Sequence, residues 1–126
     1  MSNLKALAYE MRERTIDIIV EGKTGHIGGD MSVMEILTEL YFDQMNISPE
    51  NMDDPDRDKF VMSKGHSMEA YYAVLAEKGF FPMEEMKTQR QIDSRLQGHP
   101  CSKETPGVEA STGPLGAGYP LALGVA

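Results

Sequence analysis

Lys59-Phe60-Val61-Met62-Ser63-Lys64-Gly65-His66 decides how this chain is read. A charged loop gives way to a short apolar run, and the run ends at once in a glycine turn that presents a histidine. Residues 59–62 are the one good strand candidate in the sequence. A strand, a glycine turn and then a helical pattern make the repeating unit of an α/β layer. The turn recurs: all three histidines follow a glycine, as Gly25-His26, Gly65-His66 and Gly98-His99. Glycine is 12 of 126 residues, so chance would supply such a neighbour about one time in ten. Glycine lacks a Cβ and lets backbone approach a ligand closely. Imidazole donates or accepts a proton near neutral pH. Three such turns point to imidazoles converging on one small molecule.

Working outward, residues 4–21 carry Leu4, Leu7, Ala8, Met11, Thr15, Ile18 and Ile19 at steps of three and four, an amphipathic helix. Ser2 or Asn3 is the expected cap, and Gly22 and Gly25 end the helix. Residues 25–30 read as a loop. Ser32-Val33-Met34-Glu35 reads as a capping box opening a second helix. That helix runs to about Met45, with Val33, Ile36, Leu37, Leu40 and Tyr41 on one face. The acidic, proline-bearing residues 49–58 read as a surface loop. A third helix is expected over residues 67–78, stopped by Gly79. Pro82 opens a fourth, to about Arg90. Residues 97–118 are dense in glycine and proline, and a loop of that length in a compact domain is usually functional or disordered. Residues 119–126 are small and apolar, like a helix beginning against a core. Four helices and one strand fall short of a sheet, whose backbone groups need neighbouring strands. The expectation is therefore a helix-rich portion of an α/β domain.

A net charge of −8 argues against nucleic acid or an anionic membrane as the main partner. The single cysteine, Cys101, cannot form an internal disulfide, which suits a reducing, cytoplasmic compartment. It stands near His99, but no Asn or Asp orienter accompanies it for nucleophilic catalysis. The N-terminal residues have no signal-peptide pattern, and no run approaches the length of a membrane span. The histidine spacings match no short zinc pattern, so no metal ligand is assigned.

Taken in order, four motifs resemble the N-terminal part of transketolases. They are Gly25-His26-Ile27-Gly28-Gly29, Ser63-Lys64-Gly65-His66, Arg95-Leu96-Gln97-Gly98-His99-Pro100, and Pro106-Gly107-Val108-Glu109-Ala110-Ser111-Thr112-Gly113-Pro114-Leu115-Gly116. The resemblance implies that residues 1–126 are a partial N-terminal, pyrophosphate-binding domain with the α/β thiamin-diphosphate-binding fold. It implies two-carbon ketol transfer between phosphorylated ketoses and aldoses, as in the pentose phosphate pathway. The implied cofactors are thiamin diphosphate and magnesium or calcium, and the implied assembly is a homodimer or a complementary C-terminal subunit. By resemblance, His66 approaches the cofactor diphosphate, and Gly113, Pro114 and Leu115 line the thiamin. His26 and His99 face the substrate as catalytic histidines.

The sequence also departs from the family. The first motif reads Gly-His-Ile-Gly-Gly-Asp where many relatives carry Gly-His-Pro-Gly-Ala-Pro, and a proline would stiffen that turn. Ala117 stands where glutamine is common. The Gly-Asp-Gly…Asn metal motif is missing, as Gly29-Asp30 is followed by Met31. The glutamate that activates the cofactor and the arginines that grip substrate phosphate have no counterpart in these residues. The resemblance thus implies part of a larger or split enzyme. The alternative is a non-catalytic partner subunit or a truncated remnant. Deoxyxylulose-phosphate synthase fits less well, since its later loop typically reads Gly-His-Ser-Ser-Thr-Ser.

Overall fold

The computed structural model describes residues 2–126, and among them it contains α-helices, short 3₁₀ and π turns and long irregular loops, with no strand. The helices are α1 (Ser2–Gly22), α2 (Ile27–Glu39), α3 (Met68–Lys78) and α4 (Gly118–Val125). α1, α2 and α3 pack on one another. α3 is the centre: Met68, Ala70, Tyr71, Tyr72, Ala73, Val74 and Leu75 are all buried. A helix apolar on every side needs covering on every side. α1 and α2 cover part of α3, and the loops around Phe80, Leu96 and Val108 contribute to the same core. Gly79 closes α3 in the left-handed conformation at φ 98°, as its place after Lys78 predicts.

α1 buries Ala8, Met11 and Thr15 on the expected face. Thr15 Oγ1 donates to Met11 O at 2.7 Å, so its hydroxyl is satisfied inside the helix. Ser2 and Asn3, the expected caps, lie within the helix. The cap position itself falls outside the described residues.

α2 corrects the sequence reading at its start. It begins at Ile27, so residues 27–30 of the expected loop are helical and Ser32 is an internal residue. The first turn closes early because Asp30 N–H bonds His26 O at 3.0 Å. Asp30 Oδ1 also accepts the Ala70 N–H at 3.0 Å, pinning that turn to α3. The buried face is Asp30, Val33, Met34, Leu37 and Thr38, whereas Ile36 is 56% exposed. The hydrophobic stripe had to rotate once Asp30 became part of the helix. A π turn, Leu40–Gln44, carries the chain to Met45, where the helix was expected to end.

Residues 59–62 are not a strand. A strand requires a neighbour to pair its backbone groups, and none is present among the described residues. The apolar run is used for side-chain packing instead. The Phe60 ring lies 5.6 Å from Tyr41 and 5.3 Å from Tyr71. The fourth expected helix is a 3₁₀ segment, Met83–Thr88, with Pro82 as its N-cap. The loop of residues 49–58 opens with a 3₁₀ turn at Pro49–Asn51. It is anchored by an ion pair between Arg57 and Glu109, whose side chains are only 8% and 11% exposed.

The C-terminal segment is helical as expected, but it does not lie against a core. In α4 only Gly118 is buried, while Tyr119, Leu121 and Leu123 are 70%, 44% and 64% exposed. Gly118 is held close to Ser63: a Cβ there would fall 2.4 Å from Ser63 Cα.

Candidate functional site

His26 is the N-cap residue of α2, and His66 lies in the turn two residues before α3. The packing of α2 on α3 brings the two rings together, with centroids 5.3 Å apart and planes at 66°. Gly29 makes this approach possible. A Cβ there would stand 3.5 Å from His66 Nε2 and 2.3 Å from Ser67 Oγ. Lys64 ties the two elements across the same gap, donating from Nζ to Gly29 O and Ser32 Oγ, each at 2.8 Å.

The third histidine arrives by a different route. Gly65 is packed against residues 112–113, where a Cβ would lie 2.7 Å from Thr112 Oγ1 and 3.0 Å from Gly113 N. Any larger residue would push the two loops apart. Thr112 joins three segments. Its hydroxyl donates to Met62 O at 2.7 Å, and its N–H donates to Pro100 O at 3.3 Å. Gly113 then lies beside the His99 ring: a Cβ on it would be 3.5 Å from His99 Cδ2. Tyr72, from the buried helix, supports this loop with its hydroxyl on Gln97 O at 3.1 Å and His99 O at 3.3 Å. Burial is the main cause of a Tyr72 pKa raised to about 12, so the phenol remains a donor.

All three glycine–histidine turns therefore meet at one place, joined through Gly29, Gly65, Thr112 and Gly113. His26 and His99 are exposed and His66 is half-buried. Pro114 is exposed beside them, and Leu115 is 79% exposed. The site is an open face, not a closed cavity. A cavity of 560 Å³ lined by Ile18, Met86, Arg90 and neighbours contains none of the candidate residues. Cys101 is a free thiol and half-buried. Among the described residues no group of three or more His, Cys, Asp or Glu is placed to hold a metal ion. No helix among them is long and apolar enough to cross a membrane.

Beneath the histidines lies a set of buried polar groups that sequence reasoning missed. Asp30, Ser67 and Glu69 are each fully buried. Arg90 Nη2 donates to Glu69 Oε1 at 3.1 Å. Asp30 could have been found from its register, three residues before Val33 and four before Met34 on the buried stripe. Glu69 and Arg90 left no such signal, because only the packing of their loops places them side by side.

The family model for the transketolase thiamine diphosphate binding domain matches residues 4–126. An apulose-4-phosphate transketolase subunit of Phocaeicola vulgatus is 43% identical over 126 residues, which is all of this chain and 44% of that protein. Transketolase 1 of Escherichia coli is 41% identical over 127 residues, covering all of this chain and 19% of its own. The solved transketolase of Leishmania mexicana superposes with a TM-score of 0.88 at 39% identity, over 96% of this chain and 18% of that one. The chain thus spans less than half the length of these relatives.

Proposed function

The chain belongs to the transketolase family, and on that premise we propose that it supplies part of the cofactor and substrate site of an enzyme that transfers a two-carbon ketol group between sugar phosphates. The observation that carries this reading is the chain of contacts from His26 to His66, from Gly65 to Gly113 and from Gly113 to His99.

The residues present fit thiamin diphosphate. Imidazole N–H groups suit phosphate oxygens, in a charge-assisted bond when the ring is protonated. The exposed side chain of Leu115 offers apolar support to a heterocycle at the same face. Once bound, the cofactor supplies the carbanion chemistry. The rest falls to the chain. His66 donates to a diphosphate oxygen. Gly113 admits the thiamin close to backbone, with Pro114 and Leu115 beside it. His26 and His99 hydrogen-bond sugar hydroxyls and carry protons to and from the reacting substrate.

The metal, magnesium or calcium, is expected from ligands outside these residues, since the Gly-Asp-Gly…Asn motif does not occur in them. The activating glutamate and the phosphate-binding arginines are likewise expected from the remainder of the enzyme, in a homodimer or a complementary C-terminal subunit. Two observations support such an assembly. Tyr119, Leu121 and Leu123 of α4 form an uncovered apolar surface. The similar Phocaeicola protein is itself named as one subunit of a transketolase.

Calorimetric titration with thiamin diphosphate and magnesium tests the reading. The 126-residue chain alone is expected not to bind. Addition of the complementary half is expected to restore binding and ketol transfer. Failure of both after complementation would favour a non-catalytic remnant.

A further inference from the structure

The buried polar groups under the histidines have a distinctive pattern of satisfied and unsatisfied oxygens. Asp30 Oδ1 is held by the Ala70 N–H at 3.0 Å. Glu69 Oε1 is held by Arg90 Nη2 at 3.1 Å. Ala70, whose N–H holds Asp30, directly follows Glu69, so the two buried carboxyl groups lie close together at the start of α3. Their other oxygens, Asp30 Oδ2 and Glu69 Oε2, are buried without a hydrogen-bond partner. Two buried carboxylates this near one another cannot both be ionised without repulsion, and two acceptors cannot satisfy each other. A single proton placed between them removes both difficulties.

We propose that Asp30 and Glu69 share one proton, and that this carboxyl–carboxylate pair is a positioning device that clamps the His26 turn to α3. The pair sits where such a clamp acts directly. Asp30 ends the turn that begins at His26, through its N–H on His26 O. Glu69 faces the other end: a Cβ on Gly25 would fall 3.1 Å from Glu69 Oε1. The clamp also reaches the third turn, since Arg90 packs against Gly98, where a Cβ would lie 3.6 Å from Arg90 Nη1. Arg90 holds a left-handed backbone at φ 60°, a conformation uncommon for a non-glycine residue.

The charged and titratable groups around the pair are few. Lys64 approaches from the turn before α3, and Arg90 from the loop after Met83–Thr88. Arg12 of α1 reaches the neighbouring Met31 O. His26 and His66 stand at the outer edge. Burial is the main cause that raises the Asp30 pKa to about 7, with Glu69 adding to the effect. The proton is therefore held at acidic pH and released around neutrality. An acid whose pKa is raised on folding lends its stability below its unfolded value and loses it as pH rises through the folded one.

The shared proton is tested in the full protein by two measurements on wild type, D30N and D30A. The first is the infrared C=O stretch of a protonated carboxyl, expected at pH 6 in wild type and absent from D30N. The second is amide hydrogen exchange of residues 26–30, corrected for the intrinsic rise with pH. Wild-type protection is expected to fall about tenfold between pH 6 and pH 8. D30N, whose amide donates to Glu69 in place of the proton, should keep its protection across that range. D30A should be unprotected throughout. A D30N profile parallel to wild type, or an unchanged infrared band, would overturn the shared proton.

Discussion

The imidazole of His26 stands edge to face with that of His66, 5.3 Å between centroids, although one caps α2 and the other precedes α3. Neither ring is set by its own loop. The distance between them is the packing of two helices, made possible by Gly29 of α2, where a Cβ would fall 2.3 Å from Ser67 Oγ. Small residues at this junction therefore control the site as directly as the histidines do.

Gly65→Ala tests that control on the opposite side. The added methyl would lie 2.7 Å from Thr112 Oγ1 and 2.9 Å from Thr112 C. Overpacking against backbone is expected to cost about 1–3 kcal/mol. Denaturant unfolding reads the loss, and changed NMR shifts at Gly113 and His99 would show that the strain reaches the site.

Thr112→Val removes a hydroxyl that bonds Met62 O at 2.7 Å while keeping the side chain's shape. The buried carbonyl left without its donor is expected to cost about 1–3 kcal/mol. A loss below a few tenths of that, measured by urea unfolding, would mean that the clasp between the loops does not depend on this bond.

Tyr72→Phe acts under the His99 loop, leaving Gln97 O and His99 O without the phenol. Because burial raises the Tyr72 pKa to about 12, the native state holds this proton more tightly than the unfolded chain does. Its contribution is full below pH of about 10 and is lost as pH rises through the folded value. The alkaline slope of stability should accordingly be shallower in the variant between those limits. Thermal melts at matched pH give the comparison.

Leu115→Ala separates binding from folding. The side chain is 79% exposed, so stability should change by less than about 0.5 kcal/mol. In the complemented enzyme, thiamin diphosphate affinity is expected to fall about tenfold, near 1.4 kcal/mol. His66→Ala should weaken the same affinity by a similar factor, whereas His26→Ala and His99→Ala should lower kcat more than they weaken cofactor binding. Equal effects of all three histidine variants on cofactor affinity would contradict the division of roles.

Arg57→Ala breaks the ion pair with Glu109, whose side chains are 8% and 11% exposed. A charge left buried without its partner is expected to cost about 3–5 kcal/mol. Glu109 lies in the loop that leads to Thr112, so the loss should also appear as faster hydrogen exchange through residues 107–113.

The sequence by itself determined the local features. Periodicity marked the buried face of α1, Gly79 marked the end of α3, and the glycine–histidine turns marked the candidate site, because capping, turn chemistry and amphipathic spacing are written in neighbouring residues. The motif order was enough to show a likeness to transketolases. Tertiary structure decided the rest. Residues 59–62 look like a strand by composition, but a strand exists only through a partner, and Phe60 packs on Tyr41 and Tyr71 instead. Ser32 looks like a cap, but Asp30 bonds α3 and draws the helix start back to Ile27. The bond from the Ala70 N–H to Asp30, and the linking of three distant turns through Gly29, Gly65 and Gly113, arise from how α2, α3 and the loops pack. Those long-range contacts depend on which surfaces find one another, and no short window of sequence carries that information.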